Sequence, residues 1–174
     1  MAPLVGRDTL GRVGATGVVT VELREVTEET VRRICALQVV PGQEKFVAPN
    51  AVSIAEAHFS ATAWFRAIYA DGEPVGFIML DDDADARQYT LWRLMVADGH
   101  QRKGYGKRAI ELLIEYVRTR PGAAALMTSW VPGDDGPQEF YRRLGFVLTG
   151  EWDEGEVIGK LALDNEDDTG GSPT

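Results

Sequence analysis

The sequence predicts an α/β fold in which a mixed, mostly antiparallel sheet of about seven strands is flanked by about four helices. Strand-length apolar runs are joined by turn dipeptides such as Asp71-Gly72 and Glu154-Gly155, which are typical of hairpins. An amphipathic pattern over 105–118 separates two of these runs, as expected of a helical crossover. The chain has 174 residues, 44% of them hydrophobic, so one domain can build a core without a metal or a disulfide.

The first half is predicted to run strand, helix, helix and then a three-stranded meander. Alternating apolar residues indicate a strand over 18–25, and a helical pattern follows from about Thr27 to Leu37. Ser53 and Glu56 have the spacing of a capping box, which predicts that a second helix begins at Ser53. The strands of the meander are predicted at 62–70, 74–81 and 88–96.

The second half is predicted to alternate helices and strands. The aspartates at positions 81, 82, 83 and 85 are expected to form a loop too charged to be buried. The elements after the meander are a helix over about 105–118, a strand over 124–131, a short helix over 137–144 and strands over about 146–153 and 157–163. Gly159 interrupts the last strand, which suggests a bulge there.

Composition divides the chain into three regions. Residues 1–17 contain four glycines among scattered polar residues, which predicts a flexible N-terminal extension. Residues 18–163 carry the apolar periodicity and are predicted to form the folded domain. Residues 164–174 are acidic and lack large apolar side chains, so we expect a disordered tail.

The charge of the chain narrows its partners. The net charge is −9, and residues 19–163 alone carry −6, which argues against a nucleic-acid binder because such a protein needs a basic face. An acidic surface favours the binding of small cationic molecules instead.

The residue counts also bear on metal sites and disulfides. With one cysteine and two histidines, neither a disulfide nor a metal site is expected. The sequence also shows no membrane span or signal peptide, and we expect a cytoplasmic protein, with a homodimer left open.

A basic, glycine-containing segment lies between the strand at 88–96 and the helix at 105–118. It reads Gln101-Arg102-Lys103-Gly104-Tyr105-Gly106-Lys107. Unpaired amide groups at a helix start, together with the helix dipole, attract an anion, and glycine lets a phosphate approach the main chain. A turn followed by a helix with basic first residues is an equally good interpretation of the segment taken alone.

Together with a second motif, this segment resembles a known family. Gln101–Gly106 is similar to the Q/R-x-x-G-x-G/A pyrophosphate loop of the GNAT superfamily of acetyl-CoA-dependent N-acetyltransferases, and Phe140–Phe146 is similar to that family's FYxxxGF signature. The likeness covers about residues 20–163. It implies a GNAT-like sheet whose central strand pair, carrying Leu94 and Trp130, splays apart to admit the thioester.

The resemblance also implies roles for individual residues. Acetyl-CoA would be the co-substrate, with no metal. Its pyrophosphate would be held by main-chain amides of the loop, and its pantetheine arm would lie along the backbone of the preceding strand, which makes the expected coenzyme-binding residues Leu94, Met95, Val96, Gln101, Arg102, Lys103, Gly104, Tyr105, Gly106 and Lys107. Tyr141 aligns with the tyrosine that the family often places near the thioester sulfur.

A chemical argument for Tyr141 stands beside the resemblance, and the alternative is that Tyr141 simply packs its helix on the sheet. An amine that attacks the acetyl carbonyl expels a thiolate, and a phenol within hydrogen-bond reach can protonate it. Tyrosine suits this role because its phenol stays protonated at neutral pH. The attacking amine must be neutral, so a base is also needed, and the sequence does not choose among the candidates Glu44, Glu56, Asp81, Asp82 and Glu151.

The acceptor amine is suggested by a narrower resemblance. Residues 43–56 and 92–107 are similar to bacterial polyamine-type acetyltransferases that act on spermine and spermidine. The expected acceptor-binding residues are Glu44, Glu56, Trp92, Trp130 and Glu151, with the tryptophans acting by cation–π contact or simply packing in the core. The alternatives are acetylation of another amine, such as an aminoglycoside-like antibiotic, an amino acid derivative or a protein N-terminus, and a catalytically silent acyl-CoA-binding module.

Overall fold

The computed structural model describes residues 19–134 and 136–163. The proposed extension over 1–17 and the proposed tail over 164–174 lie outside these ranges. The elements are β1 (Val21–Arg24), α1 (Val31–Cys35), α2 (Asn50–His58), β2 (Ala63–Ala70), β3 (Glu73–Asp83), β4 (Gln88–Val96), α3 (Tyr105–Arg118), β5 (Ala125–Trp130), α4 (Gln138–Arg143), β6 (Val147–Asp153) and β7 (Glu156–Ala162).

The strands form one sheet in the order β1-β2-β3-β4-β5-β7-β6. Every neighbouring pair is antiparallel except β4 and β5, which are parallel because α3 crosses over between them. The predicted mixed, mostly antiparallel sheet is therefore confirmed, as are its seven strands and four helices.

Helices cover both faces of the sheet, and the central strands alternate their side chains between them. Ile78 and Leu80 of β3 join the core under α3 and α4, which also contains Leu113. Phe77 and Met79 point to the opposite face and pack with Ile34 of α1, next to partly buried residues of α2. Because β3 is buried on both faces, its sequence is a continuous apolar run rather than an alternating one.

Both N-terminal helices differ from their predicted bounds. The pattern from Thr27 forms a helix only over α1, since residues 28–30 form a turn. The prediction of a capping box at Ser53 is wrong, because α2 begins one turn earlier, after Pro49. Ser53 is buried instead, and its hydroxyl donates to the Pro49 carbonyl at 3.4 Å. Asn50 is buried at the helix start and donates to the Ile34 carbonyl at 2.8 Å, which ties α2 to α1.

The prediction that the aspartates at 81–85 form an exposed loop is also wrong in part. Strand β3 continues to Asp83, and the Asp82 side chain is only 8% exposed. Its carboxylate accepts hydrogen bonds from the Tyr116 hydroxyl at 2.6 Å and from Arg120 Nε at 2.9 Å. These partners come from α3 and the residues after it, so they are invisible in the local charge pattern, and they compensate the burial of Asp82.

Gly159 does not mark a bulge. The β5–β7 register runs without a shift through Thr128 and Gly159, and the irregularity of this hairpin lies in β6, between Leu148 and Trp152. A Cβ at Gly159 would lie 2.6 Å from Cζ3 of Trp130, so the glycine makes room for that ring. The absence of a side chain here is therefore a packing requirement.

Candidate active site

A cleft opens where β4 and β5 separate. The two strands pair only at Thr90–Met127 and Leu91–Thr128, and beyond these positions they diverge. The rest of β4 stays paired with β3 on its other edge, so its edge facing β5 is left to the cleft. The cleft has a volume of about 1270 Å³, and the predicted splayed central pair is confirmed.

The loop after β4 forms one end of this cleft. Gln101 fixes the loop, since its side-chain amide donates to the Val96 carbonyl at 3.0 Å and to Gln43 Oε1 at 2.7 Å. Arg102 and Gly104 both have positive φ angles, 59° and 83°, which turn the chain sharply into α3. Such turns leave successive amide groups on one side, a concavity suited to an anion.

The start of α3 offers main-chain donors rather than side chains. Gly104 is the N-cap, makes no side-chain cap, and accepts the first helical hydrogen bond from the Arg108 amide at 3.0 Å. The amides of residues 105–107 therefore have no acceptor within the helix. A Cβ at Gly106 would lie 3.5 Å from both Phe140 Cζ and Val96 Cγ2, so this glycine also sits close to α4. Such donors are suited to binding a phosphate group.

Tyr141 lies on α4 at the inner wall of the cleft. The residue is 7% exposed, and its ring stacks on Trp130 with the ring centroids 5.0 Å apart. Burial raises the pKa of the Tyr141 hydroxyl to about 12, the charge of Glu156 acts in the same direction, and the Thr128 hydroxyl opposes both. The phenol is thus held in its protonated form at neutral pH.

The opposite face of the sheet supplies carboxylates to the same cleft. On β5, Ser129 points away from its neighbours Thr128 and Trp130, and its hydroxyl donates to Glu156 Oε2 at 2.5 Å. Further out on β3, Thr62 donates to the Asp81 carboxylate. Both carboxylates line the cleft and are partly buried.

Most of the residues expected at the site line the cleft. These are Glu44, Trp92, Leu94, Met95, Val96, Gln101, Arg102, Gly104, Tyr105, Gly106, Lys107, Trp130 and Tyr141. Glu44 also accepts a hydrogen bond from the Gly42 amide at 2.6 Å. Lys103, Glu56 and Glu151 do not line the cleft: Lys103 is exposed, Glu56 pairs with Arg93 at 3.2 Å, and Glu151 is exposed on β6.

The cleft also has lining residues that sequence reasoning does not find. They include Arg143, Thr128, Ser129, Asp153, Glu154 and Glu156. A signal for the last three exists, because they belong to or flank the predicted Glu154-Gly155 turn. What the sequence does not give is the order β5-β7-β6, which brings the turn to the open side of the splayed pair.

The described part of the chain contains neither a clustered metal site nor a spanning helix. Within residues 19–134 and 136–163, no group of three or more histidine, cysteine, aspartate and glutamate side chains is arranged to hold a metal ion. Across the same ranges, no helix is both long and apolar enough to cross a membrane.

Comparison with known proteins identifies the family. Residues 30–146, about two thirds of the chain, match the model of the Acetyltransferase (GNAT) family. The chain therefore belongs to the GNAT family of acetyl-CoA-dependent N-acetyltransferases, as the two motifs predicted.

Individual relatives are more distant. The chain is 24% identical over 146 residues to the spermine/spermidine N(1)-acetyltransferase of Bacillus subtilis, covering 80% of this chain and 96% of that protein. It is 30% identical over 96 residues to streptothricin acetyltransferase of Streptomyces lavendulae, covering 55% of this chain and 50% of that protein. Its fold matches the PaiA N-acetyltransferase of Thermoplasma acidophilum, solved with coenzyme A, with a TM-score of 0.61, 17% identity, and coverage of 82% and 99%.

Proposed function

We propose that this acetyltransferase transfers the acetyl group of acetyl-CoA to a primary amine of a polyamine such as spermine or spermidine. The observation that carries the proposal is the separation of charge along the cleft. Arg102, Lys107 and Arg143 line it at the loop and α4, whereas Asp81 and the carboxylates at 153, 154 and 156 line it at β3 and the β6–β7 hairpin. Of the two other basic lining residues, Arg93 is paired with Glu56, and Lys45 follows the acidic lining residue Glu44. An anionic coenzyme and a cationic acceptor would each meet charge of the opposite sign.

The coenzyme would bind mainly through the main chain. The amides of residues 102–107 would hold the pyrophosphate, with the positive end of α3 behind them. The free edge of β4 at residues 94–96 would pair with the amide groups of the pantetheine arm, as an added strand does. The Val96 carbonyl already accepts from Gln101, so Gln101 would act by holding the loop.

Tyr141 would act as the general acid. Its buried phenol donates a proton to the sulfur as the bond between the acetyl carbon and the sulfur breaks. The resulting phenolate takes back a proton from the newly acylated nitrogen, which leaves a neutral amide and a neutral tyrosine. Stacking on Trp130 fixes the ring in place for this exchange.

The two tryptophans would play different parts. Trp130 is 5% exposed, packs against Tyr141 and fills the space above Gly159, so its role is to support the general acid. Trp92 lies partly buried on β4 and lines the cleft, and the Arg93 guanidinium lies over its ring, 5.3 Å from the centroid. The part of the ring that Arg93 leaves open would meet an alkylammonium group of the acceptor. We further propose that residues 18–163 form the catalytic domain.

A second acceptor class has its own support. The 30% identity over 96 residues to a streptothricin acetyltransferase favours an antibiotic amine, and the acidic end of the cleft would suit that cation as well. A catalytically silent acyl-CoA-binding module is the third alternative. The presence of both Tyr141 and the Gly104–Gly106 loop argues against it.

The release of coenzyme A, measured with a panel of amines, tests the proposal. Spermine, spermidine, a monoamine and streptothricin are compared at low and high salt. If an extended polycation is the acceptor, kcat/KM rises from monoamine to spermidine to spermine, and it falls with salt as the attraction is screened. Higher kcat/KM on streptothricin favours the second class, and binding of coenzyme without turnover of any amine favours the silent module.

A further inference from the structure

The base that takes the proton from the acceptor amine has to be near Tyr141, on the cleft. Of the candidates from the sequence, Glu56, Asp82 and Glu151 do not line the cleft. Glu44 does, but its carboxylate lies on the 38–49 loop and accepts from the Gly42 amide. The remaining candidate from the sequence is Asp81. The structure adds Asp153, Glu154 and Glu156, of which Asp153 and Glu154 are exposed and Glu156 alone is partly buried.

Asp81 lies below the point where the slot opens. It pairs with Thr90, and Thr90 is one of the two β4 residues still paired with β5. A carboxylate at that level lines the cleft beside the paired part of the two strands and not beside their divergent part. Asp81 is therefore placed to attract the distant end of a long cation rather than to reach the reacting nitrogen.

Glu156 lies at the level of the opening itself. It begins β7 next to Val157, which pairs with Trp130, the last residue of β5. Ser129, one residue beyond the last position of β5 that pairs with β4, holds the carboxylate with a hydrogen bond of 2.5 Å. The carboxylate is thus fixed at the rim of the V formed by β4 and β5.

Tyr141 and Glu156 approach this opening from opposite faces of the sheet. Tyr141 belongs to the core under α3 and α4, together with Trp130. Ser129 points to the other face, where Trp92 packs with the second core. A thioester in the slot would therefore have the proton donor for its sulfur on one side and a carboxylate on the side from which the amine arrives.

We infer that Glu156, held by Ser129, is the catalytic base that binds the acceptor's ammonium group and takes its proton. The carboxylate accepts one proton from the ammonium, and the freed nitrogen lone pair forms the bond to the acetyl carbon. The carbon–sulfur bond then breaks, with the sulfur protonated by Tyr141 as described above. Glu156 finally releases its proton to water, so the reaction yields the acetylated amine, the coenzyme thiol and one proton. This inference rests on the proposed acetylation of an amine and specifies its base.

The test is Glu156→Gln, which keeps the size and the hydrogen-bond acceptor of the side chain. We expect kcat/KM for the best amine to fall roughly 10²-fold at pH 7, the effect of losing a positioned base. Acetyl-CoA affinity by calorimetry should stay within about twofold. Glu28→Gln, at an exposed site before α1, makes the same charge change away from the cleft and should retain wild-type kinetics.

The pH profile separates a base from a structural group. An alkylamine has a pKa near ~10, so its neutral fraction rises tenfold per pH unit below that value. The loss of kcat/KM in Glu156→Gln should therefore shrink between pH 7 and pH 9.5, because more of the amine is already neutral and needs no base. A deficit that is constant over this range, or smaller than about threefold at pH 7, would overturn the assignment.

Ser129 gives a second variant for the same question. Ser129→Ala removes the hydrogen bond to the carboxylate and should lower kcat roughly fivefold, about 1 kcal/mol, whereas Ser129→Thr keeps a hydroxyl and should restore most of the rate. Equal loss in both variants would contradict a positioning role for Ser129.

The outcomes separate the proposed function from its base. If wild-type protein acetylates no amine, the proposed function is overturned together with its base. If wild-type protein acetylates an amine and Glu156→Gln is as fast, the base assignment alone is overturned.

Discussion

The two ends of the cleft are built in different ways. The end that we propose for the coenzyme is a contiguous segment, residues 101–107, whose donors are main-chain amides at the start of α3. The end that we propose for the acceptor is assembled from side chains on separate strands, including Asp81 of β3, Trp92 of β4, Ser129 of β5 and Glu156 of β7. The first depends on the path of the backbone, and the second on which side chain each strand happens to carry.

This difference has a consequence for specificity. A main-chain site tolerates changes of side chain as long as the loop keeps its glycines and its turns. A side-chain site changes its ligand with one substitution, without altering the fold. The coenzyme is therefore the part of the reaction that the family shares, and the acceptor is the part that this chain sets by its own residues.

The largest effect is expected between the two ends, at Tyr141. Tyr141→Phe keeps the stacking on Trp130 and removes only the hydroxyl, so we expect kcat to fall by roughly 10²-fold or more with little change in acetyl-CoA affinity. The measurement is steady-state kinetics under conditions where chemistry limits turnover. Phe140→Leu is the matched comparison, because it alters an adjacent ring of the same helix that has no proton to give. A near-wild-type kcat in Tyr141→Phe would mean that water or another group protonates the sulfur.

Coenzyme affinity should fall when a glycine of the loop after β4 is replaced by a larger residue. Gly106→Val introduces a side chain against Phe140 and Val96, in the first turn of the helix where the pyrophosphate would bind, so we expect acetyl-CoA to bind at least about tenfold more weakly, roughly 1.4 kcal/mol. Calorimetry measures the affinity, and a thermal melt checks that the fold is kept. Gly104→Val should weaken binding as well, but it also strains a residue at φ 83°, which makes Gly106 the cleaner position.

The contrast at this end comes from Lys103→Ala. Its side chain does not line the cleft although it belongs to the same loop, so its removal should weaken coenzyme binding much less than Gly106→Val. Equal losses in the two variants would mean that side-chain charge, and not the main chain, dominates binding.

The same contrast explains how far the sequence can be interpreted. The loop and the FYxxxGF run are local, so the sequence identifies Gly104, Gly106 and Tyr141 with their elements, and the sheet follows from periodicity and turns. Glu156 escapes sequence reasoning, because the role that we propose for it depends on β7 inserting between β5 and β6. The prediction for Asp82 is wrong for a related reason, since Tyr116 and Arg120 reach it only in the folded chain. The local backbone is accessible from the sequence, and long-range pairing of side chains is not.

At the acceptor end, neutralising the β6–β7 hairpin should have a moderate effect. The double variant Asp153→Asn, Glu154→Gln removes two carboxylates that line the cleft, and we expect KM for spermine to rise about three- to fivefold at low salt with kcat nearly kept, about 1 kcal/mol of attraction. Glu151→Gln, on the same strand but off the cleft, should raise KM less. A larger effect from Glu151 would restore it as an acceptor-binding residue, as the sequence predicts.

The smallest expected effect lies in the alkaline pH dependence of kcat. Burial raises the pKa of Tyr141 to about 12, above the ordinary value near 10. For an acid, a raised pKa means that the proton is kept to higher pH, so kcat with saturating amine should fall by less than about twofold between pH 8 and pH 10. With an unshifted tyrosine, half of the enzyme would already lack its donor at pH 10.

The same raised pKa of Tyr141 also affects folding. The stability that it contributes is present in full below pH 10 and declines as pH rises from 10 towards 12, because the unfolded chain loses the proton first. Measurements should therefore stop near pH 10, with the fold checked by circular dichroism at each pH. A halved kcat at pH 10 in a folded enzyme would show that Tyr141 is more open to water than its packing between the two ends of the cleft implies.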